Sequence, residues 1–140
     1  MSSLPTSDCT FTIGYMNGVN SWGSFAQGAY NRADGNYAFA HGKQNTASWG
    51  ATAIGCANRA LGECAVANGG RANTATRAYS YATGTANRAD AEVSHVAGYM
   101  ARAKDQCSFV WNGEKRYGYQ GDPTKQYSYI GAGLWELPDS

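Results

Sequence analysis

The sequence predicts an all-β fold, a parallel β-solenoid or β-roll of about eight short rungs. Three observations predict it. Glycines recur at a nearly fixed spacing. Small residues and asparagines recur at fixed offsets from those glycines. The composition also leaves little material for a conventional core: 18 glycines and many alanines, with few Leu, Ile or Met. Small residues at that density suit backbones that stack closely.

The anchor glycines are Gly14, Gly28, Gly42, Gly55, Gly69, Gly84, Gly98 and Gly113, at steps of 14, 14, 13, 14, 15, 14 and 15 residues. Two places earlier stand Thr12, Ala26, Ala40, Ala53, Ala67, Ala82, Val96 and Trp111. Three places later stand Asn17, Asn31, Asn45, Asn58 and Asn87. Asn73 joins them if Gly70 is a one-residue insertion, and the same insertion restores Ala75 to the column of Ala33, Ala47, Ala60, Ala89 and Ala103. A 14-residue unit is too short for a helical hairpin repeat, and glycine is not every third residue, which excludes collagen.

Each rung reads as a short strand before the glycine and a turn over Gly-x-x-Asn-x-Ala, where glycine and asparagine tolerate positive φ. Successive rungs then pair strand on strand at ~4.8 Å per rung, so that eight span roughly 35–40 Å. Alternate residues of a strand face opposite sides. The alanine column therefore lines a narrow interior. The column beside it, with Phe11, Phe25, Phe39, Thr52, Val66, Tyr81, His95 and Val110, offers an apolar stripe outward. One thin coil cannot cover that stripe, so it calls for self-association around an axis.

Three stretches carry a resemblance: Ser24-Phe25-Ala26-Gln27-Gly28-Ala29-Tyr30-Asn31-Arg32-Ala33, Thr52-Ala53-Ile54-Gly55-Cys56-Ala57-Asn58-Arg59-Ala60 and Ser94-His95-Val96-Ala97-Gly98. They resemble the head repeats of trimeric autotransporter adhesins of the Yersinia adhesin type, as also found in phage fibre-like proteins. The resemblance covers residues 11–113. It implies a left-handed roll, three chains per head, and an adhesive or fibre role. The family's stalk, membrane anchor and secretion signal have no counterpart here, and its Ser before Ala is often replaced.

The sequence divides into an N-terminal extension (1–10), the repeat domain (11–113) and a C-terminal segment (114–140). The last holds Tyr117, Tyr119, Tyr127, Tyr129 and Trp135. An open terminal rung is a sticky edge, so these aromatics are expected to cap the assembly. They are also candidates for ligand contact, because Tyr and Trp supply flat faces.

Other chemistry is sparse. The net charge is +1, which supplies no global field toward nucleic acid or a membrane surface. No apolar run is long enough for a membrane span, and no signal peptide is read at Met1–Phe11. Cys9, Cys56, Cys64 and Cys107 show no CxxC or zinc spacing and read as small, buried free thiols. His41 and His95 lie in different columns. No nucleophile elbow, P-loop or dinucleotide fingerprint occurs. The carboxylates Asp34, Glu63, Asp90, Glu92 and Asp105 fall near turns. No cofactor, metal site or enzymatic activity is expected.

One polar column stands out. Arg32, Arg59, Arg88 and Arg102 each follow a glycine by four residues, with Asp34 and Asp90 two residues further on. Cross-rung ion pairs on a wet surface account for it, and an anionic-glycan track is the sharper alternative. The expected function is a non-enzymatic trimeric fibre, decoration or receptor-binding module on a virion surface. Its expected partners are its own copies, other fibre proteins and a cell-surface glycan or protein. The head of a bacterial surface adhesin is the alternative. An ice-binding array is disfavoured because Thr46, Thr52, Thr74, Thr76, Thr83 and Thr85 share no column. A depolymerase needs a groove that 140 residues leave little room for.

Overall fold

The computed structural model describes residues 4–5, 9–112, 128–131 and 134–136. Among these there is no helix, and every strand belongs to one of two sheets. Long strands of five or six residues alternate with two-residue strands, from Leu4–Pro5 to Ser108–Asn112. Long strands pair with long and short with short, in parallel, one rung to the next. The chain is a β-solenoid of about seven turns. The eighth rung of the sequence reading is the strand that ends the seventh turn.

The rung keeps its 14-residue period by compensation. Phe39 pairs with Thr52 one residue early, and Val66 pairs with Tyr81 one residue late. The late step is a bulge: between Asn68 and Arg71 two glycines, Gly69 and Gly70, stand against one residue of each neighbouring strand. This is the one-residue insertion inferred from the displaced Asn73 and Ala75.

The interior is as narrow as the alanine column suggests. Ala26, Ala40, Ala53, Ala67 and Ala82 from the long strands are fully buried with Ala33, Ala47, Ala60, Ala75 and Ala89 from the short ones. Two sheets this close admit a methyl or a valine and nothing larger. The last rung differs from the glycine spacing on this account. Gly98 pairs with Asn112, and Val96 with Val110. Val110 thus takes the interior column, Phe109 the outward one, and Trp111 lies half exposed. A Trp in the methyl-sized column has no room. Gly113 itself lies outside the described residues.

The anchor glycines are not in the turn. They sit inside the long strands with φ between +106° and +123°, apart from Gly69 in the bulge at +74°, and a Cβ on Gly28 would lie 1.9 Å from the carbonyl oxygen of Gly42 in the next rung. Glycine is required by that close approach as well as by φ. The left-handed turn residue comes two places later, at Met16, Tyr30, Gln44, Ala57, Ala72, Ala86 and Met100. Its backbone N–H donates to the rung before, as Tyr30 does to the Tyr15 carbonyl at 3.0 Å.

The asparagines therefore do not supply the positive φ expected of them. They are buried and form a ladder. Asn45 Nδ2 donates to the carbonyls of His41 (2.7 Å) and Gly55 (2.8 Å) and to Asn31 Oδ1 (3.0 Å). Its own Oδ1 accepts the backbone N–H of Asn58 at 3.0 Å. Asn17, Asn31, Asn58, Asn73 and Asn87 repeat the pattern. Each satisfies donors and acceptors that the tight corner leaves inside, where an unpaired group costs about 1–3 kcal/mol.

Candidate functional site

Four surfaces face outward: the long-strand sheet, the short-strand sheet, the first corner, where Met16, Tyr30 and Met100 are exposed, and the second corner, just before each long strand. The long-strand sheet carries the apolar stripe. Phe11, Phe25 and Phe39 stack face to face with ring centroids 5.0 and 4.8 Å apart. Thr52 and Val66 continue the column. Tyr81, His95 and Phe109 complete it, with centroids 4.5 and 4.8 Å apart. Burial between these rings holds the His95 imidazole below its ordinary pKa. His41 sits in the neighbouring column, paired in register with Gln27 and Ile54.

The short-strand sheet carries the arginine column, interleaved with threonines: Arg32, Thr46, Arg59, Thr74, Arg88 and Arg102 on successive rungs. Arg32 pairs with Asp34 at 2.9 Å and Arg88 with Asp90 at 3.2 Å, both within a rung, while Arg102 reaches Asp90 across rungs at 2.6 Å. Burial alone would raise the Asp90 carboxyl, but the hydrogen bonds and charges of Arg88 and Arg102 outweigh it and hold the pKa low. Only one of the three pairs bridges rungs, so the cross-rung expectation holds in part. Arg59 has Leu61 where Arg32 and Arg88 have aspartate, and among the described residues it makes no ion pair.

The second corner was not singled out in the sequence. Its left-handed residue stands two places before the outward column residue of each long strand: Cys9, Gly23, Tyr37, Gly50, Cys64, Tyr79, Val93 and Cys107. Three of the four cysteines thus occupy exposed turn positions. All four are free thiols and none is buried, which corrects the expectation of small interior residues. Large aromatics gather at the same corner: Trp22, Tyr37, Trp49 and Tyr79, all exposed. The signal was present in the sequence, since each lies two or three residues before a long strand. It was diluted because the ring alternates between two adjacent positions.

Of the C-terminal aromatics, Tyr129 lies in Ser128–Gly131 and Trp135 in Leu134–Glu136. These two strands extend the long-strand sheet antiparallel beyond Ser108–Asn112. Tyr117, Tyr119 and Tyr127 lie outside the described residues. Among the described residues no group of three His, Cys, Asp or Glu side chains is placed to hold a metal ion. Compared with family models, curated proteins and solved structures, the chain matches none.

Proposed function

We propose that this chain is a non-enzymatic, homotrimeric display and receptor-binding module of a virion fibre or decoration. One observation carries the reading: the solenoid presents a largely apolar column, from Phe11 to Phe109, on the outside of its long-strand sheet. Two runs of three packed rings, joined by Thr52 and Val66 across eight neighbouring strands, form a stripe roughly 35 Å long, which a soluble chain covers by association. Three copies around one axis bury all three stripes against each other and leave the short-strand sheets and second corners outward. In this assembly the C-terminal segment caps the last rung. The antiparallel strand laid on Ser108–Asn112 supports that role, because it occupies the edge where another rung would pair.

Light scattering of the purified chain tests the assembly. A particle of three times the 14.9 kDa chain mass is expected at micromolar concentration, and Phe25→Asp with Phe39→Asp should dissociate it. A stable monomer of the unmodified chain would overturn it. Antibodies to the chain should label intact virions; labelling of a bacterial envelope instead would favour the adhesin-head alternative.

A further inference from the structure

The second corner carries four aromatic rings that neither the interior nor the apolar stripe uses. Trp22, Tyr37, Trp49 and Tyr79 expose 45%, 59%, 52% and 59% of their surface. They stand on one edge of the coil, and cross-rung bonds hold its backbone. The N–H of Tyr37 donates to the Trp22 carbonyl at 2.9 Å, Gly50 to Asn36 at 2.8 Å, Cys64 to Trp49 at 3.0 Å and Tyr79 to Glu63 at 2.9 Å. The rings have been given room. Where a Trp stands three places before the long strand, the next residue is glycine, Gly23 or Gly50. A Cβ on Gly23 would fall 2.9 Å from the Tyr37 ring, which packs over it and meets Trp22 edge to face at 5.3 Å.

Polar groups alternate with the rings. The position three before the long strand reads Trp22, Asn36, Trp49, Glu63 on successive rungs. Asn36 Oδ1 accepts the Trp22 backbone N–H at 3.2 Å, and no described residue accepts from its Nδ2. Glu63 is exposed. The edge thus offers flat apolar faces, a donor and an acceptor at steps of about 4.8 Å.

Area decides between occupants. A large aromatic buries roughly 150–250 Å², so four half-exposed rings offer on the order of 400 Å². A stable protein interface takes roughly 800 Å² from each side. The strip is too small for a folded partner and has the length and width of a short glycan. Its charge is mixed, with Glu63 and Glu92 against Arg77 on this edge, and three of the four column arginines are already paired with aspartate, so no positive field selects an anionic one.

We propose that this edge is a binding track for an extended, uncharged oligosaccharide. Pyranose C–H faces lie on Trp22, Tyr37, Trp49 and Tyr79, with the ring-free rung of Glu63 and Cys64 between the last two, and Asn36 and Glu63 bond the hydroxyls at the ring edges. The inference rests on the reading of the chain as a binding module and names the site and ligand class.

The test is a tryptophan-fluorescence titration of the purified chain with cello-, chito- and malto-oligosaccharides, with light scattering of every sample. Saturable change with at least one series is expected. Tyr37→Ala and Trp49→Ala should each weaken binding roughly tenfold, Trp49→Phe should retain most of it, and Arg59→Ala should not change it. The proposal is overturned if no series saturates or if the alanine variants bind normally. It is equally overturned if Trp49→Ala lowers the mass of the assembly, which would make the edge a subunit contact. A trimer that binds no sugar sinks the track alone, while a sugar-binding monomer sinks the trimeric assembly alone.

Discussion

At the corner after each glycine, the chain reverses through a left-handed residue and a buried asparagine. At the opposite corner it reverses through a left-handed residue and a buried serine or alanine. Ser24, Ser80, Ser94 and Ser108 back-bond through Oγ to the carbonyl three residues earlier. At Ala38, Ala51 and Ala65 the backbone N–H alone makes the equivalent bond. The first corner depends on one side chain repeated without variation from Asn17 to Asn87, whereas the second closes with or without a hydroxyl. Their responses to length differ likewise. The second corner has lost a residue before Trp49 without consequence for the stack. The strand end that leads into the first absorbs its extra residue only as a pair of glycines, Gly69 and Gly70. A corner that must satisfy its own interior cannot vary, so recognition belongs at the other.

Glycine substitutions sharpen that contrast most. Gly28→Ala drives a methyl into the Gly42 carbonyl and should cost at least ~3 kcal/mol or abolish folding. Gly50→Ala, at φ +62° with only the Cys64 sulfur at 3.1 Å, should cost about 1 kcal/mol. Urea midpoints measure both, and equal losses would erase the difference between the corners.

The next largest effect compares the buried polar side chains. Asn45→Ala strands the His41 and Gly55 carbonyls and the Asn58 N–H and should cost about 3 kcal/mol. Ser80→Ala removes one bond whose acceptor keeps the Ser80 backbone N–H, and should cost about 1 kcal/mol.

The smallest effect is electrostatic and belongs to the short-strand sheet. The folded-state pKa of Asp90 lies below its unfolded value, so the unfolded chain binds the proton more readily. The stabilisation is complete above the unfolded value, about pH 3.9, and is lost as pH falls through the folded one. It should be under ~1 kcal/mol, because the arginines are exposed. Asp90→Asn should flatten that acid limb of the stability profile.

The interior was the legible part of this molecule. A residue that faces copies of itself in the rungs above and below is held to one size and one chemistry, and the Ala and Asn columns announce this directly. Their roles were less legible. The left-handed residue at the first corner is whatever precedes the asparagine, from Met16 to Ala86, or Ala101 in the case of Met100, and no residue type marks it. The register of the last rung followed from interior volume, Val110 against Trp111, rather than from glycine spacing. The aromatic edge escaped because outward residues answer to no neighbour of their own kind. Trp22, Tyr37, Trp49 and Tyr79 share a place in space without sharing a column.

The asparagine ladder also has a direction. Each Oδ1 accepts the backbone N–H of the following rung, from Asn17 onto Asn31 and at last from Asn87 onto Ala101 at 2.8 Å. A finished rung thus hands its successor a preset acceptor, and the handover runs only from N- to C-terminus, the order in which a ribosome releases the chain. At Ala101 it stops, because a methyl has nothing to pass on. Among the described residues two more parallel strands follow, Arg102–Ala103 and Ser108–Asn112, before Ser128–Gly131 joins antiparallel. The run of asparagines is therefore a ruler, and the alanine that ends it marks the length to which the solenoid is cut.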